Sequence, residues 1–394
     1  MDIVVVGQQP WDIEIGSNCK NIALEFSKNN RVIYVNSPLD RITVLRNRND
    51  EKVKKRLEVI SGKTNGLQKV KERLWSFYPN QIIESINWIK NDWLYNLFNK
   101  WNNVRFAKSI ARAIKELGFK DYILFNDSDM FRSFYLKELL KPKMTVYYSR
   151  DYLLATDYYR YHGEKLEPQL INKSTVCVAN STYLTDYCKK YNPNSYYVGQ
   201  GCDLSLFTNA SIKDRPADIK DINGPIIGYV GVIYSVRLDV EIIQNIAMSN
   251  PDWQVVLVGP EDEYFMESVL HQLGNVHFLG AKEPEELPQY IDAFDVCINP
   301  QIITDFTIGN YPRKVDEYLA MGKPVVATHT NAMEIFKDYT YLANTKEEYI
   351  PLIEKALAED SDELKKRRKE FVSGHTWANS VEEIYKAIGH AVNY

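Results

Sequence analysis

The sequence predicts an α/β fold in two domains, and three observations predict it. Short runs rich in Val, Ile, Tyr and Phe alternate along the chain with segments of helical period, the pattern of βαβ units and parallel sheets. These runs fall into two series with a polar stretch between them. With 394 residues and 45% hydrophobic content, the chain is long enough for two cores and too long for one.

The first series of strands is read at residues 2–6, 31–36, 122–125, 145–148, 175–179 and 195–198. Met1 and Asp2 lead straight into the apolar Ile3 to Val6, with no basic segment before them and no small-residue cleavage site behind. That run therefore reads as a first strand, not a signal peptide. Residues 208–224 are rich in Asp, Lys and Asn and broken by Pro216, the composition of a linker, so the boundary is expected after Phe207. The second series is read at 226–230, 254–258, 276–279, 296–299, 324–327 and 339–342, a second Rossmann-like domain running to residue 375. Two such domains facing one another would bring the carboxyl ends of both sheets to one cleft, where open α/β sheets bind ligands. The active site is expected there.

Composition excludes several classes. No apolar run approaches the roughly 20 residues that cross a bilayer, and the mean hydropathy is -0.37, so no membrane span is expected. Cys19, Cys177, Cys188, Cys202 and Cys297 are odd in number and scattered, and read as reduced core thiols of a cytoplasmic protein. The net charge is -4, yet residues 41–112 hold 16 Lys and Arg against 6 Asp and Glu, which leaves this window at +10 and the remainder at -14. Trp75, Phe77, Tyr78, Trp88, Trp93 and Trp101 are interleaved with those cations. Such a mixture suits peripheral contact with an anionic bilayer surface. It equally suits a solvated basic helix with its aromatics in the core, whereas nucleic acid is disfavoured because no binding module is visible.

The most specific segment runs from Tyr311-Pro312-Arg313-Lys314-Val315-Asp316-Glu317-Tyr318 to Gly322-Lys323-Pro324-Val325-Val326-Ala327. Pro312 suits the first turn of a helix, whose free N–H groups attract phosphate, and Lys314 adds a full charge beside them. Glu317 follows three residues on, on roughly the same face, where a carboxylate can accept both hydroxyls of a ribose. Gly322 and Pro324 then end the helix and start a strand. By themselves Lys314 and Glu317 also read as an ordinary surface pair.

The flanks decide between these readings. The Pro-x-Lys-x-x-Glu-Tyr run, with Gly228-Tyr229-Val230-Gly231, Asn275 to Gly280, Glu286 to Tyr290 and Phe294 to Pro300, resembles the nucleotide-binding core of the retaining GT-B glycosyltransferases. The likeness covers nearly the whole chain, and is nearest to the teichuronic-acid-biosynthesis type among capsule and exopolysaccharide transferases. His375-Thr376-Trp377, followed by Val381, Ile384 and Ile388, resembles the terminal helix of that family, which crosses back to the first domain.

The resemblance implies a nucleotide-sugar donor, UDP by default, no metal or other cofactor, and a glycan or lipid-linked acceptor. It places Gly231, Arg237, Gly309, Asn310, Pro312, Lys314 and Glu317 at the donor. Two positions depart from the pattern. Val232 stands where relatives carry a diphosphate-binding Arg, and Gly309 where they often carry a second Glu against the donor sugar. Backbone N–H groups at Gly309 and Asn310 are expected to approach the sugar or phosphate instead, unless they form a plain turn.

Acceptor activation needs a general base or a site that stabilises an oxocarbenium-like state. Asp151, just beyond the strand at 145–148, is the expected candidate, with an N-cap for the next helix as its alternative. Trp11, Asp12 and Gly16, in the loop after the first strand, are expected at the acceptor, as is His162, read in the loop after Asp151. Asp127-Ser128-Asp129 imitates a metal-binding Asp-x-Asp, but is read as cleft-lining or capping. Two rivals remain open: a sugar-nucleotide 2-epimerase, and a protein that binds a nucleotide sugar without turning it over.

Overall fold

The computed structural model describes residues 1–13, 16–208 and 214–392, and the chain divides into two compact units. The first takes in Met1–Gly199 and the chain from Ser380 on; the second is Gln200–Asn379.

In the first unit the strands are β1 (Asp2–Val6), β2 (Arg31–Val35), β3 (Leu39–Asp40), β4 (Leu67–Lys71), β5 (Leu74–Phe77), β6 (Ile82–Ile83), β7 (Ile123–Asp127), β8 (Met144–Ser149), β9 (Val176–Ala179) and β10 (Ser195–Tyr197). Eight of them form one sheet in the order β10-β9-β8-β7-β1-β2-β5-β4, parallel except for the β4–β5 hairpin, while β3 and β6 pair separately. Every residue of β1, β7, β8 and β9 is buried, which is why these strands read as continuous apolar runs. The hairpin at the sheet's edge is not among the strands the sequence predicts. β4, Leu-Gln-Lys-Val-Lys, is half-buried to exposed and too polar to signal a core strand.

The second unit holds β11 (Ile226–Val230), β12 (Gln254–Val258), β13 (Val276–Phe278), β14 (Val296–Asn299), β15 (Val325–Thr328) and β16 (Tyr341–Ala343). All are parallel, in the order β13-β12-β11-β14-β15-β16. Strand order reverses between β11 and β14, the point at which such sheets open a crevice at their carboxyl edge.

The unit boundary falls eight residues before the expected one. Cys202, Leu204 and Phe207 pack into the core of the second unit with Tyr290, Phe294 and Leu319. Of the expected linker, 209–213 lie outside the described residues. The stretch around Asp218 and Ile219 is docked, not free: Ile219 is buried, and Asp218 takes Tyr290 Oη at 2.9 Å and Lys282 Nζ at 2.7 Å. The last helix, Trp377–Val392, returns to the first unit as expected. There Tyr385 Oη accepts from Asn30 Nδ2 at 2.7 Å and its ring lies against Phe26, while Val381, Ile384 and Ala387 are buried.

The helix Asp92–Leu117 is turned inside out over its first half. Tyr95, Asn99, Asn102 and Asn103 face inward, and Trp93, Leu94, Leu97, Phe98 and Trp101 face out. Asn102 and Asn103 are accommodated because they are bonded: Asn102 exchanges two 2.9 Å bonds with the backbone of Glu84, and Asn103 Nδ2 donates to Asn99 and Phe131 carbonyls. The basic window thus divides its aromatics between core (Phe77, Tyr78, Tyr95) and surface (Trp88, Trp93, Trp101). Among the described residues, no helix is long and apolar enough to cross a membrane.

Candidate active site

In the second unit, the helix Arg313–Ala320 starts one residue later than expected, with Pro312 as its N-cap at φ -85°, ψ 70°. Proline has no N–H to offer, so the free donors of the first turn belong to the residues after it. The helix is fixed from below. Tyr318 Oη accepts from Val230 N at 2.9 Å, and the fully buried Asp316 carboxylate holds His375 Nδ1 at 2.6 Å and Cys202 Sγ at 3.2 Å. The chain leaves the helix through Gly322 at φ +78°, with Lys323 N donating to Tyr318 O at 3.0 Å.

Lys314 and Glu317 share the opposite face, with Lys314 Nζ 3.5 Å from Glu317 Oε2. That oxygen is buried and accepts no hydrogen bond. Gly231, at φ +148°, lies beneath the lysine stem: a Cβ there would stand 2.3 Å from Lys314 Cε and 2.8 Å from Tyr229 Oη. Gly259 in turn approaches so closely that a Cβ would meet Gly231 O at 1.7 Å. Two glycines are therefore needed for the loop after β11 to pass beneath a cation.

The loops after β11 and β14 are laced together. Ile302 N donates to Arg237 O at 2.9 Å, Asp239 N to Pro300 O at 2.9 Å, and the exposed Arg237 guanidinium lies 5.4 Å from the Phe306 ring centre. Tyr229 feels both charged groups: burial raises its phenol pKa, Arg237 lowers it and Glu317 raises it. Gly231, Arg237, Lys314 and Glu317 thus gather at the carboxyl edge of one sheet. Asn310 contributes less than expected there, because its N–H donates to Thr307 O at 3.0 Å within a turn, and Gly309 is buried in that same turn.

In the first unit, Asp151 lies two residues beyond β8, with its Oδ2 2.8 Å from Arg150 Nη1. It is not a helix cap: Tyr152 precedes the 3-10 turn Leu153–Ala155, and Thr156 precedes the helix Asp157–Lys173. Arg150 also holds the fully buried Asp127 at 2.9 Å, and Asp127 Oδ2 accepts from Gln8 N at 3.2 Å. Asp129 turns away to cap Phe131 and Arg132 and to pair with Arg132 Nε at 2.9 Å. The two carboxylates of Asp127-Ser128-Asp129 therefore hold different arginines.

His162 is not in a loop. It lies inside the helix Asp157–Lys173, 3% exposed, with its ring stacked 3.4 Å from that of Tyr95 and its pKa lowered by burial. Gly163 and Pro168 disguise this helix in the sequence; a Cβ on Gly163 would press on Leu154 and Met130 at 2.7 Å. Trp11 packs edge-on to Tyr34 while its backbone N–H donates to Asn36 Oδ1 at 2.7 Å, and Asp12 pairs with Arg56 at 3.3 Å. Gly16 is exposed, and residues 14 and 15 of that loop lie outside the described residues.

Two units built on largely parallel sheets, the second with a cation and a carboxylate on the helix beside its switch point, give the chain a GT-B fold. Residues 224–359 match the model of the family described as "Glycosyl transferases group 1". Over 250 residues the chain is 29% identical to a Bacillus subtilis (strain 168) protein, TuaH, which carries the provisional name of a teichuronic acid biosynthesis glycosyltransferase. The match covers 60% of this chain and 62% of TuaH, less than two thirds of that relative's length. Sucrose-phosphate synthase from Thermosynechococcus elongatus superposes with a TM-score of 0.65 at 14% identity, over 100% of this chain and 99% of its own. HepE of Anabaena in complex with UDP gives a TM-score of 0.65 at 16% identity, over 99% of this chain and 100% of its own.

Proposed function

We propose that the protein is a glycosyltransferase that moves a hexose-type sugar from UDP onto a growing, lipid-linked bacterial surface polysaccharide. The observation that carries this reading is the pair at Lys314 and Glu317: a cation crossing a glycine next to a buried carboxylate oxygen with no hydrogen-bond donor. A buried carboxylate oxygen that faces a cation at 3.5 Å but accepts no hydrogen bond still has room for a donor, and a ribose diol supplies two. In the proposal Glu317 takes the ribose, Lys314, Arg237 and the start of the helix Arg313–Ala320 take the diphosphate, and no metal is needed. HepE, of like fold, has been determined with UDP and with UDP-glucose, which supports UDP as the first nucleotide to try. The name of TuaH supports a polysaccharide product.

The second unit would bind the donor and the first the acceptor. Asp151 would take the acceptor proton or stabilise the developing positive charge; its Arg150 partner, 2.8 Å away, holds it in position. The exposed Trp93, Leu97 and Trp101, with Lys90, Lys100 and Lys108 nearby in the sequence, favour contact with the cytoplasmic face of an anionic membrane.

Calorimetric titration of UDP, GDP, ADP and CMP, with and without EDTA, tests the donor site. One nucleoside diphosphate should bind regardless of EDTA, and Glu317→Ala should weaken it. Binding only with a divalent ion would overturn the proposed clamp.

A further inference from the structure

The first unit holds a cavity of about 500 Å³, within the size range of small-molecule sites. It opens among segments that come after strands: Ile42 beyond β3, Asn87 and Trp88 beyond β6, and Arg132 beyond β7, with Asn99 and Tyr158 from two helices.

Its inner wall is short of hydrogen-bond acceptors. Asn99 is only 2% exposed, and its Oδ1 accepts from Asn103 at 3.2 Å, yet its Nδ2 has no partner. Asn87 Nδ2 is likewise buried and unpartnered. Native structures rarely leave two such donors in one cavity unless something occupies it. The rim is apolar by contrast: Trp88 is 71% exposed, Tyr158 64% and Ile42 38%.

Each charged group of the wall is already engaged. Asp40 accepts from Ser85 and Thr43, Glu84 pairs with Arg41, and Arg132 pairs with Asp129. The cavity therefore has no surplus cation for a phosphate, and its open valences are neutral donors. It also adjoins the Asp151 corner, since Tyr159 on its wall feels the charges of both Arg132 and Arg150, and Arg150 holds Asp151.

We propose that this cavity takes the sugar head of an amphipathic acceptor. A neutral pyranose ring enters against Asn99 and Asn87, which donate to its oxygens, and the apolar aglycone leaves over Trp88, Tyr158 and Ile42. The inference rests on the transferase reading above, for which it names the acceptor class.

The test is calorimetric titration of the full chain, without nucleotide, with n-octyl pyranosides below their micellar concentrations. Methyl pyranosides of the same sugars and n-octyl phosphate serve as comparisons. At least one octyl pyranoside should bind saturably, and about tenfold or more tightly than its methyl counterpart and than octyl phosphate. Trp88→Ala, at an exposed side chain, should weaken it about tenfold. Asn99→Leu should do the same, and Asn87→Leu repeats that test should the buried Asn99 variant not fold. Tighter binding of octyl phosphate, no pyranoside binding, or binding indifferent to Trp88→Ala and Asn87→Leu would each overturn the inference. UDP titrated in parallel separates the two readings. UDP binding without pyranoside binding sinks the acceptor cavity alone, whereas pyranoside binding with no binding of UDP, GDP or ADP sinks the transferase and leaves a glycoside site.

Discussion

Lys314 crosses Gly231 so closely that a single added methyl group would stand 2.3 Å from its Cε. The glycine also sits at φ +148°, where a side chain is strained. Gly231→Ala should therefore destabilise the second unit by about 1–3 kcal/mol, and displace the ammonium from the sheet edge. Urea unfolding would read the first effect. Calorimetry would read the second as UDP binding weakened about tenfold or more.

Glu317 should reveal itself through the ribose. Wild type should prefer UDP to 2′,3′-dideoxy-UDP by about 10- to 100-fold, the worth of hydrogen bonds to a partly buried carboxylate. Glu317→Ala should bind both equally weakly. A variant that kept the preference would remove Glu317 from the ribose site.

Asp316, next in the chain, has a different task. Its buried carboxylate is held by His375 and Cys202, and His375→Ala would leave it half-satisfied. The expected loss is about 3 kcal/mol in denaturant unfolding, with part of it restored by His375→Gln, which keeps a donor. Because the helix carrying Lys314 rests on this contact, UDP binding should weaken in parallel.

Glu167 makes stability depend on pH. Burial raises its carboxyl pKa, against the opposing pull of the Tyr147 and Tyr187 hydroxyls at 2.5 and 3.0 Å. Between the ordinary carboxylate value and this raised one, the folded chain keeps a proton that the unfolded chain has released. Its contribution to stability is thus full at acid pH and declines as pH rises through that window. Glu167→Gln holds the neutral form throughout. Chemical unfolding from about pH 4 to 8 should show the decline in wild type and not in the variant.

The outward face of the helix Asp92–Leu117 gives a last prediction. Flotation with vesicles containing phosphatidylglycerol should carry the protein at low salt, and the joint change Trp93→Ser and Trp101→Ser should lower the bound fraction about tenfold. Binding unaffected by that change would assign another role to this face.

The alternation of buried strands with helices was legible because burial on both faces demands unbroken apolar runs, as in Ile3 to Val6 and Val255 to Val258. Lys314 and Glu317 were legible as well, because three residues is nearly one helical turn and puts both side chains on one face. His162 was misread because Gly163 and Pro168 look like helix breakers until the packing of Gly163 against Leu154 and Met130 is known. The boundary at Gly199 was hidden for a related reason: polar residues around Pro216 look like linker, and only packing shows Phe207 and Ile219 in the second core.

By itself, then, the sequence determined what periodicity and local spacing encode: two series of strands alternating with helices, and the helix that carries the cation and the carboxylate. Tertiary structure alone decided which segments far apart in sequence meet. It turned Trp93 and Trp101 outward while Asn102 and Asn103 faced in, because inward amides bonded to Glu84, Asn99 and Phe131 cost little. It also assembled a cavity from Ile42, Asn87, Arg132 and Tyr158. No local pattern records such a meeting, because the free energy that fixes it lies in contacts between elements and not within any one of them.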